Sequence, residues 1–291
     1  MKPAPFDYHR PSSVAEAAEM LATTGGKVLA GGQSLVPIMS MRLASPTALV
    51  DLNHIAGLSD IEVTDGGVRI GALTRHSALL ADDRAYAANP LLRRALRTVA
   101  HATIRNRGTT VGSLVHADPA AEMPAVLTLL GGSVEAVSTS RGSRHIPACD
   151  FFVGAMESAL DGDEVAVAAT FANPPPQSGS SWVELARRNG DYALVGVGAL
   201  VGLDADSRLE SVRVSLVSVG EVPVVVDLSE QLASTAYAEV DWHAADDAVD
   251  SAIDPEDDVQ ASADYRRHLA GALTRQALAA ALDDAVEKVA A

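Results

Sequence analysis

The stretch that constrains the fold most is residues 104–122, Ile-Arg-Asn-Arg-Gly-Thr-Thr-Val-Gly-Ser-Leu-Val-His-Ala-Asp-Pro-Ala-Ala-Glu. Five of the six residues from Gly108 to Ser113 have small side chains, so a ligand can approach the main chain closely. Arg105, Arg107 and free backbone N–H groups would attract an anion there. The alternative is an ordinary glycine-containing loop before a capped helix. Glycine-rich loops are common, so this stretch alone favours the ordinary loop.

A helix is predicted at the end of this stretch. Asp118 is a good N-cap, and Pro119 suits the first helical position, where the backbone N–H has no partner in any case. The predicted helix runs through Leu127 and stops at Gly131-Gly132. Capping therefore explains Asp118 better than an acid–base pair with Glu122 does.

A second stretch, residues 28–38, has a related design. Val28 to Ala30 is a short apolar run that predicts a buried strand, and Gly31-Gly32 then turns the chain into a short helix. Such a strand, turn and helix can point free N–H groups at a phosphate. The stretch lacks both the G-x-G-x-x-G spacing of a Rossmann fold and the Gly-Lys-Ser/Thr of a P-loop.

Together the two stretches resemble the FAD-binding medium subunit of the molybdenum hydroxylases, the family of xanthine dehydrogenase and carbon monoxide dehydrogenase. The resemblance covers nearly the whole chain. It is carried by residues 6–11, 29–35, 50–52, 70–74, 104–122, 187–193 and 265–271. One departure stands out, because Val111-Gly112 occupies the position where the family usually has two adjacent glycines.

The resemblance implies an α+β fold. An FAD-binding domain of the vanillyl-alcohol-oxidase (PCMH) type would span residues 1–175, with subdomains at about 1–56 and 57–175. An α+β C-terminal domain would follow at residues 180–288. The proline-rich run at residues 173–179 is the clearest chain breaker and predicts the boundary between the two domains.

The resemblance also implies which residues bind FAD, with its pyrophosphate on the two glycine loops. His116 would donate to phosphate or ribose, and Glu122 would contact the adenosine ribose. Tyr192 would cover one face of the isoalloxazine, with Arg188 as a nearby positive charge; the alternative for residues 187–193 is a surface turn. The remaining implied contacts are Leu29, Ala30, Gly31, Gly32, Gln33, Ser34, Leu35, Thr109, Thr110, Val111, Gly112, Ser113 and Ala166.

Charge and cysteine content exclude several classes of protein. The net charge is −16, and sixteen acidic residues against two arginines lie between Asp204 and Asp264, which disfavours nucleic-acid binding. The single cysteine, Cys149, cannot hold an iron–sulfur cluster. The eight histidines include no HExxH motif, so no metal site is predicted. The sequence has no apolar span or secretory signal pattern, which predicts a cytoplasmic protein.

The function implied is electron transfer. A molybdenum-cofactor large subunit would hydroxylate the substrate, a 2Fe-2S small subunit would relay electrons, and FAD in this chain would pass them to an acceptor. The assembly would be a dimer of heterotrimers, and no catalytic residue is assigned to this chain. The form of residues 116–122 is widespread in relatives that act on organic substrates, which favours these over carbon monoxide.

Two alternatives stay open. A self-sufficient FAD oxidase or dehydrogenase would need a base beside the flavin, and no candidate base can be named. A flavin-free structural subunit is suggested only by Val111.

Other elements follow from local patterns. A helix is predicted over residues 12–24, ended by Gly25-Gly26, and a hairpin around Asp65-Gly66-Gly67. Thr74 is predicted to cap a helix, and residues 193–200 are predicted to be helical.

Overall fold

The computed structural model describes residues 2–233 and 235–290, which form mixed helix and sheet. Residue 1 of the predicted N-terminal domain and residue 234 of the predicted C-terminal domain lie outside this description. The first sheet has three parallel strands in the order β1-β3-β2. Its elements are β1 (Asp7–His9), α1 (Val14–Thr24), β2 (Lys27–Leu29), α2 (Leu35–Ser40) and β3 (Ala48–Asp51).

Local sequence explains why these elements begin and end where they do. The Ser13 hydroxyl accepts from the N–H of Glu16 and starts α1, and Gly25 ends the helix with φ +59°. Parallel strands need a crossover, which α1 and α2 supply. The prediction of a strand, a Gly-Gly turn and a helix at residues 28–38 is therefore confirmed.

The second sheet is antiparallel, with strand order β4-β5-β10-β6-β7, and several helices pack against it. A small hairpin, β8-β9, lies beside it. The elements are β4 (Ile61–Thr64), β5 (Gly67–Gly71), α3 (His76–Ala81), α4 (Asp83–Ala88), α5 (Pro90–Leu96), α6 (Ala102–Arg105), α7 (Thr110–His116), α8 (Glu122–Leu130), β6 (Ser133–Ser138), β7 (Gly142–Pro147), α9 (Ala148–Phe151), β8 (Phe152–Gly154), β9 (Glu157–Ser158) and β10 (Val165–Ala172).

The third sheet is a four-stranded antiparallel meander, β11-β12-β13-β14, covered by the long last helix. Helix α8 packs between this sheet and β10 of the second sheet. The elements are β11 (Ser178–Ala186), β12 (Ala193–Leu203), β13 (Leu209–Val217), β14 (Val224–Asp227), α10 (Ser229–Leu232), α11 (Asp246–Ala252) and α12 (Ala263–Ala290).

Three predictions of local structure are wrong. Residues 193–200 are part of strand β12, a central strand whose eleven residues are all buried because α12 and α8 pack on the sheet, so the polar alternation of an exposed strand is missing. The helix predicted from Asp118 begins at Glu122, and Asp118 instead makes a turn in which its side chain accepts from Ala120 N–H. The N-cap of α3 is Arg75, not Thr74.

A half-buried ion pair joins the last helix to α5. Both guanidinium Nη atoms of Arg94 on α5 contact the Asp284 carboxylate on α12, at 2.9 and 2.6 Å. Ser180 N–H also donates to Asp284 at 2.9 Å, and the Ser180 carbonyl accepts from Arg94. Although burial opposes it, hydrogen bonding to Arg94 and Ser180 N–H lowers the pKa of Asp284 to about 2.

We expect Asp284→Asn to lower the free energy of unfolding by roughly 2 kcal/mol at neutral pH, because a depressed carboxyl pKa is stabilisation of the charged form. This stabilisation is fully present above the unfolded pKa near 3.8 and disappears as pH falls towards 2. Urea unfolding between pH 7 and pH 3 measures it. The matched control is Asp283→Asn on the exposed side of the same helix. A wild-type-like Asp284→Asn at pH 7 would contradict the assignment.

Candidate functional site

A cavity of about 680 Å³ lies where the three sheets meet, within the usual range of about 300–1,000 Å³ for ligand pockets. Its walls come from three segments. Strand β2 and the turn that follows it supply residues 27–35, and the segment from α6 to α8 supplies the opposite wall. The turn at residues 190–192 closes one end. The two glycine-containing stretches identified in the sequence therefore face one space.

The first glycine turn, residues 31–34, and the second glycine turn, residues 107–109, contact each other through backbone atoms. A Cβ atom on Gly31 would lie 2.5 Å from the Arg107 carbonyl oxygen and 2.8 Å from the Gly108 Cα, so no other residue fits at position 31 without displacing the opposite turn. Gly32 adopts φ +70°, a left-handed conformation that favours glycine. Both glycines are thus required by the geometry.

Hydrogen bonds from the side chains of Arg75 and Asn53, which do not line this cavity, connect the two turns. Arg75 donates to the Arg107 carbonyl through Nη1 and to Asn53 Oδ1 through Nη2, the latter at 2.6 Å. Asn53 Nδ2 in turn donates to the Ala30 carbonyl at 2.8 Å. The relative position of the turns is therefore held by hydrogen bonds as well as by packing.

The first turn presents unpaired donors. Within the described residues, the backbone N–H groups of residues 31–34 donate to no acceptor. Backbone donors are costly to leave unpaired when they are shielded from water, so this turn is suited to an anionic ligand.

The stretch at residues 104–122 is more helical than the sequence predicted. Residues 110–116 form α7, whose N-cap Thr109 accepts from Gly112 N–H at 3.2 Å, so fewer free donors remain there. Val111 is buried in this helix with ordinary helical backbone. The backbone at this position does not need glycine, and the Val111 side chain forms part of the cavity wall.

The two arginines of this stretch have different environments. Arg105 Nη1 donates to the carbonyls of Val99 and Ala100, at 2.7 and 2.8 Å, and so holds the preceding loop. Arg107 is exposed at the edge of the turns.

A carboxylate cluster lies at the α8 end of the cavity. Glu122 is 9% exposed and lines the cavity, and no described side chain donates a hydrogen bond to it. Burial, and then the neighbouring Glu184, raise the pKa of Glu122 to about 8. Burial also raises the pKa of Glu184, which accepts from the Trp182 indole at 2.9 Å. The Glu122 side chain is therefore largely protonated at neutral pH in this conformation.

The turn that carries Tyr192 is docked tightly onto the N-terminal part of the chain. Gly190 has φ +86°, and a Cβ there would lie 2.4 Å from Cε1 of His101. Tyr192 lines the cavity and is 67% exposed. The interpretation of residues 187–193 as a mere surface turn does not explain this close docking.

Hydrogen bonds from Ser218 and Arg266 support the same turn. Ser218 N–H donates to the Pro119 carbonyl at 2.9 Å, and its hydroxyl donates to the Ala193 carbonyl at 2.7 Å. The buried Arg266 donates to the Leu194 carbonyl at 2.5 Å and to Asp258 at 2.7 Å. These bonds fix the start of β12, and hence Tyr192, against the loop before α8.

Most residues predicted for the site lie together in the structure. Those that line the cavity are Leu29, Ala30, Gly31, Gly32, Gln33, Ser34, Leu35, Thr109, Val111, Gly112, Ser113, His116, Glu122, Ala166 and Tyr192. Thr110 is fully buried behind the wall, and Arg188 is exposed outside it.

Sequence reasoning did not assign His76, Glu164 or Asp191, which also line the cavity. Glu164 is already paired with Arg144 Nε at 2.7 Å. His76 comes two residues after the segment 70–74 that carried the resemblance, and that proximity was the available signal.

Comparison with known proteins identifies the family. The protein-family model for the FAD binding domain in molybdopterin dehydrogenase matches residues 4–174. The family model for the CO dehydrogenase flavoprotein C-terminal domain matches residues 180–281. The chain therefore belongs to the family of FAD-binding medium subunits of molybdenum hydroxylases, which are oxidoreductases. The predicted family, fold class and FAD cofactor are confirmed.

Individual relatives extend over the whole chain. The 6-hydroxypseudooxynicotine dehydrogenase complex subunit alpha of Paenarthrobacter nicotinovorans is 38% identical, covering 97% of this chain and 96% of its own length. The caffeine dehydrogenase subunit beta of Pseudomonas sp. (strain CBB1) is 35% identical, with 97% of each chain covered. In the reconstituted CO dehydrogenase from Oligotropha carboxidovorans, a chain superposes with a TM-score of 0.92 at 32% identity, covering 98% of this chain and 100% of that one.

The cavity fits FAD on its own geometry. The close approach at Gly31 and the free N–H groups of residues 31–34 suit a pyrophosphate, and the buried Glu122 suits a ligand hydroxyl. Among residues 2–233 and 235–290, no group of three or more His, Cys, Asp or Glu side chains could hold a metal ion. No helix in these ranges is long and apolar enough to cross a membrane.

We expect Glu122→Gln to stabilise the FAD-free chain increasingly as pH rises from 5 to 8. A carboxyl pKa raised above its unfolded value near 4.5 makes the folded state lose stability over this range, by on the order of 2–3 kcal/mol, and an amide removes that loss. Unfolding free energies of both proteins against pH measure the effect. A constant difference between them would show that Glu122 ionises normally in the folded chain.

Proposed function

We propose that this chain carries one non-covalent FAD in the cavity and relays electrons within a molybdenum-containing dehydrogenase. The observation that carries the proposal is the backbone contact of Gly31 with residues 107–108, beside the free donors of residues 31–34. Bound FAD supplies a redox group that can accept and release electrons singly or in pairs. The protein's part is to bind it, orient it and control access to it.

Each predicted site residue has a proposed role. The backbone of residues 29–35 and of residues 109–113 holds the pyrophosphate, with His116 as a donor to phosphate or ribose. Glu122 contacts the adenosine ribose, and its protonated form can donate as well as accept. Ala166 completes the wall. Tyr192 covers the isoalloxazine, and Arg188 contributes positive charge from outside the cavity.

We place the domain boundary in the proline-rich connection between β10 and β11. The N-terminal FAD domain is residues 1–175, with subdomains at about 1–56 and 57–175, and the C-terminal domain is residues 180–288. Support comes from the sheets, because the first sheet ends at Asp51, the second spans residues 61–172 and the third begins at Ser178.

Electrons would reach this FAD from a 2Fe-2S small subunit, after a molybdenum-cofactor large subunit has oxidised the substrate. The complex is proposed to be a cytoplasmic dimer of heterotrimers. Relatives named for caffeine, 6-hydroxypseudooxynicotine and carbon monoxide resemble this chain to similar degrees, at 35, 38 and 34% identity. Similar medium chains therefore occur in enzymes named for very different substrates, so we infer that this chain does not select the substrate. That inference argues against a self-sufficient oxidase.

Gly32→Val tests the location of the cofactor. Valine at φ +70° is strained, and its Cβ would crowd the Leu29 and Val36 side chains at 3.2 and 3.3 Å, so the turn must move and FAD should be lost. The matched control is Gly142→Val, which has φ +73° in open space at the tip of the β6–β7 hairpin. The flavin-to-protein ratio of each purified chain is the measurement. Equal flavin content in Gly32→Val and wild type would rule out the first turn as the cradle.

We further expect the flavin to be released by acid precipitation. The one cysteine, Cys149, does not line the cavity, and no histidine or cysteine at either glycine turn is in a position that demands a covalent link to the flavin. Yellow chromophore should appear in the supernatant. A flavin that remains in the washed pellet would contradict non-covalent binding.

A further inference from the structure

His76 is a buried histidine directly beneath the second glycine turn. It is 4% exposed, begins α3, and its backbone N–H donates to the Gly108 carbonyl at 3.0 Å. Thr110 N–H donates to the Thr74 carbonyl at 3.1 Å, so the two segments are joined by a short antiparallel bridge that pairs Arg75 with Thr109. The ring Nδ1 lies 3.0 Å from the Thr110 hydroxyl.

The hydrogen bond to Thr110 determines which ring nitrogen carries the proton. The Thr110 side chain is completely buried, and among the described residues its hydroxyl has no other partner than His76. If Nδ1 donated to this hydroxyl, the hydroxyl proton would have no acceptor, which is unfavourable for a buried group. The hydroxyl therefore donates to Nδ1, and the proton of the neutral imidazole resides on Nε2.

The Nε2 edge of the ring lies beside Gly108 and the cavity. A Cβ on Gly108 would meet the ring at 3.0 Å from Cδ2 and 3.4 Å from Nε2. His76 lines the cavity, and no residue in the described ranges accepts from Nε2. Burial, together with the charge of Arg105, lowers the pKa of His76 to about 4, so the ring is neutral at physiological pH.

We propose that His76 is the positioning residue of the second glycine turn: its Nδ1 holds Thr110, and its Nε2–H faces the cavity as a neutral donor to the anionic part of FAD. The inference rests on the proposed FAD site. A neutral donor has an advantage over an arginine at this place, because it leaves no unpaired charge buried when the cavity contains no anion.

Two substitutions separate the two nitrogens. In His76→Asn the amide oxygen can replace Nδ1 as acceptor for Thr110, but the donor at Nε2 is lost. In His76→Gln the amide nitrogen can replace Nε2, but the acceptor for Thr110 is lost. The control is His145→Asn, the same substitution at an exposed position on β7 that is outside the cavity.

FAD affinity of the flavin-depleted full chain, measured by flavin fluorescence, should fall about tenfold to a hundredfold in His76→Asn, as expected for a lost hydrogen bond to a charged group. His76→Gln should retain affinity within a few-fold but unfold at a lower temperature without FAD. His145→Asn should match wild type in both measurements. Wild-type affinity in His76→Asn would overturn the donor role.

The ¹⁵N chemical shifts of His76 in the flavin-free chain provide an independent measurement. We expect a neutral imidazole protonated at Nε2 throughout pH 5–8, and a ring protonated at Nδ1 or titrating near pH 6.5 would overturn the proposal. If the wild-type chain binds no FAD, the proposed function and the donor role of His76 both fail. If the wild-type chain binds FAD and His76→Asn binds it equally well, only the donor role fails. The two failures are therefore distinguishable.

Discussion

The structure depends on one contact between two stretches of backbone, in which Gly31 lies directly against residues 107–109 with no side chain between them. This contact brings the turn after β2, a strand of the parallel sheet, against the N-terminal end of α7, which packs on β10 of the antiparallel second sheet. The cavity is the space on one side of this contact. Arg75 and Asn53 reinforce the contact from the other side, so the cavity wall is fixed before any ligand binds.

Two buried titratable groups that line the cavity, His76 and Glu122, are kept neutral, whereas the buried Glu164 stays charged through its pairing with Arg144. His76 and Glu122 have pKa values displaced in opposite directions, to about 4 and about 8, and desolvation is the first cause for both. A cofactor that carries its own negative charge at the pyrophosphate is more easily accommodated in such a cavity.

The sequence predicted the parts of the site that depend on local chemistry. The glycine turn after β2 follows from residue type, and it was located correctly because no other residue tolerates the close approach at Gly31 or the positive φ of Gly32. The hairpin at residues 61–71 and the end of α1 at Gly25 were predicted for the same reason.

Features that depend on tertiary packing were missed. Strand β12 was predicted as a helix because its residues, rich in Val, Gly and Ala, are buried on both faces and show no period of two. Asp118 was predicted as an N-cap because its neighbour Pro119 favours one, yet the Pro119 carbonyl is used by Ser218 from the C-terminal sheet. His76 was not recognised, because its role comes from Thr110, which is 34 residues away in the chain.

The central claim, that FAD in this chain is the exit for electrons, is tested most directly in the assembled complex. The complex would be stripped of flavin, mixed anaerobically with its reducing substrate, and followed by absorbance of the metal centres and of an added acceptor. We predict that the metal centres of the partner subunits are still reduced, that the acceptor is not, and that adding FAD restores acceptor reduction. Undiminished acceptor reduction in the flavin-free complex would contradict the claim.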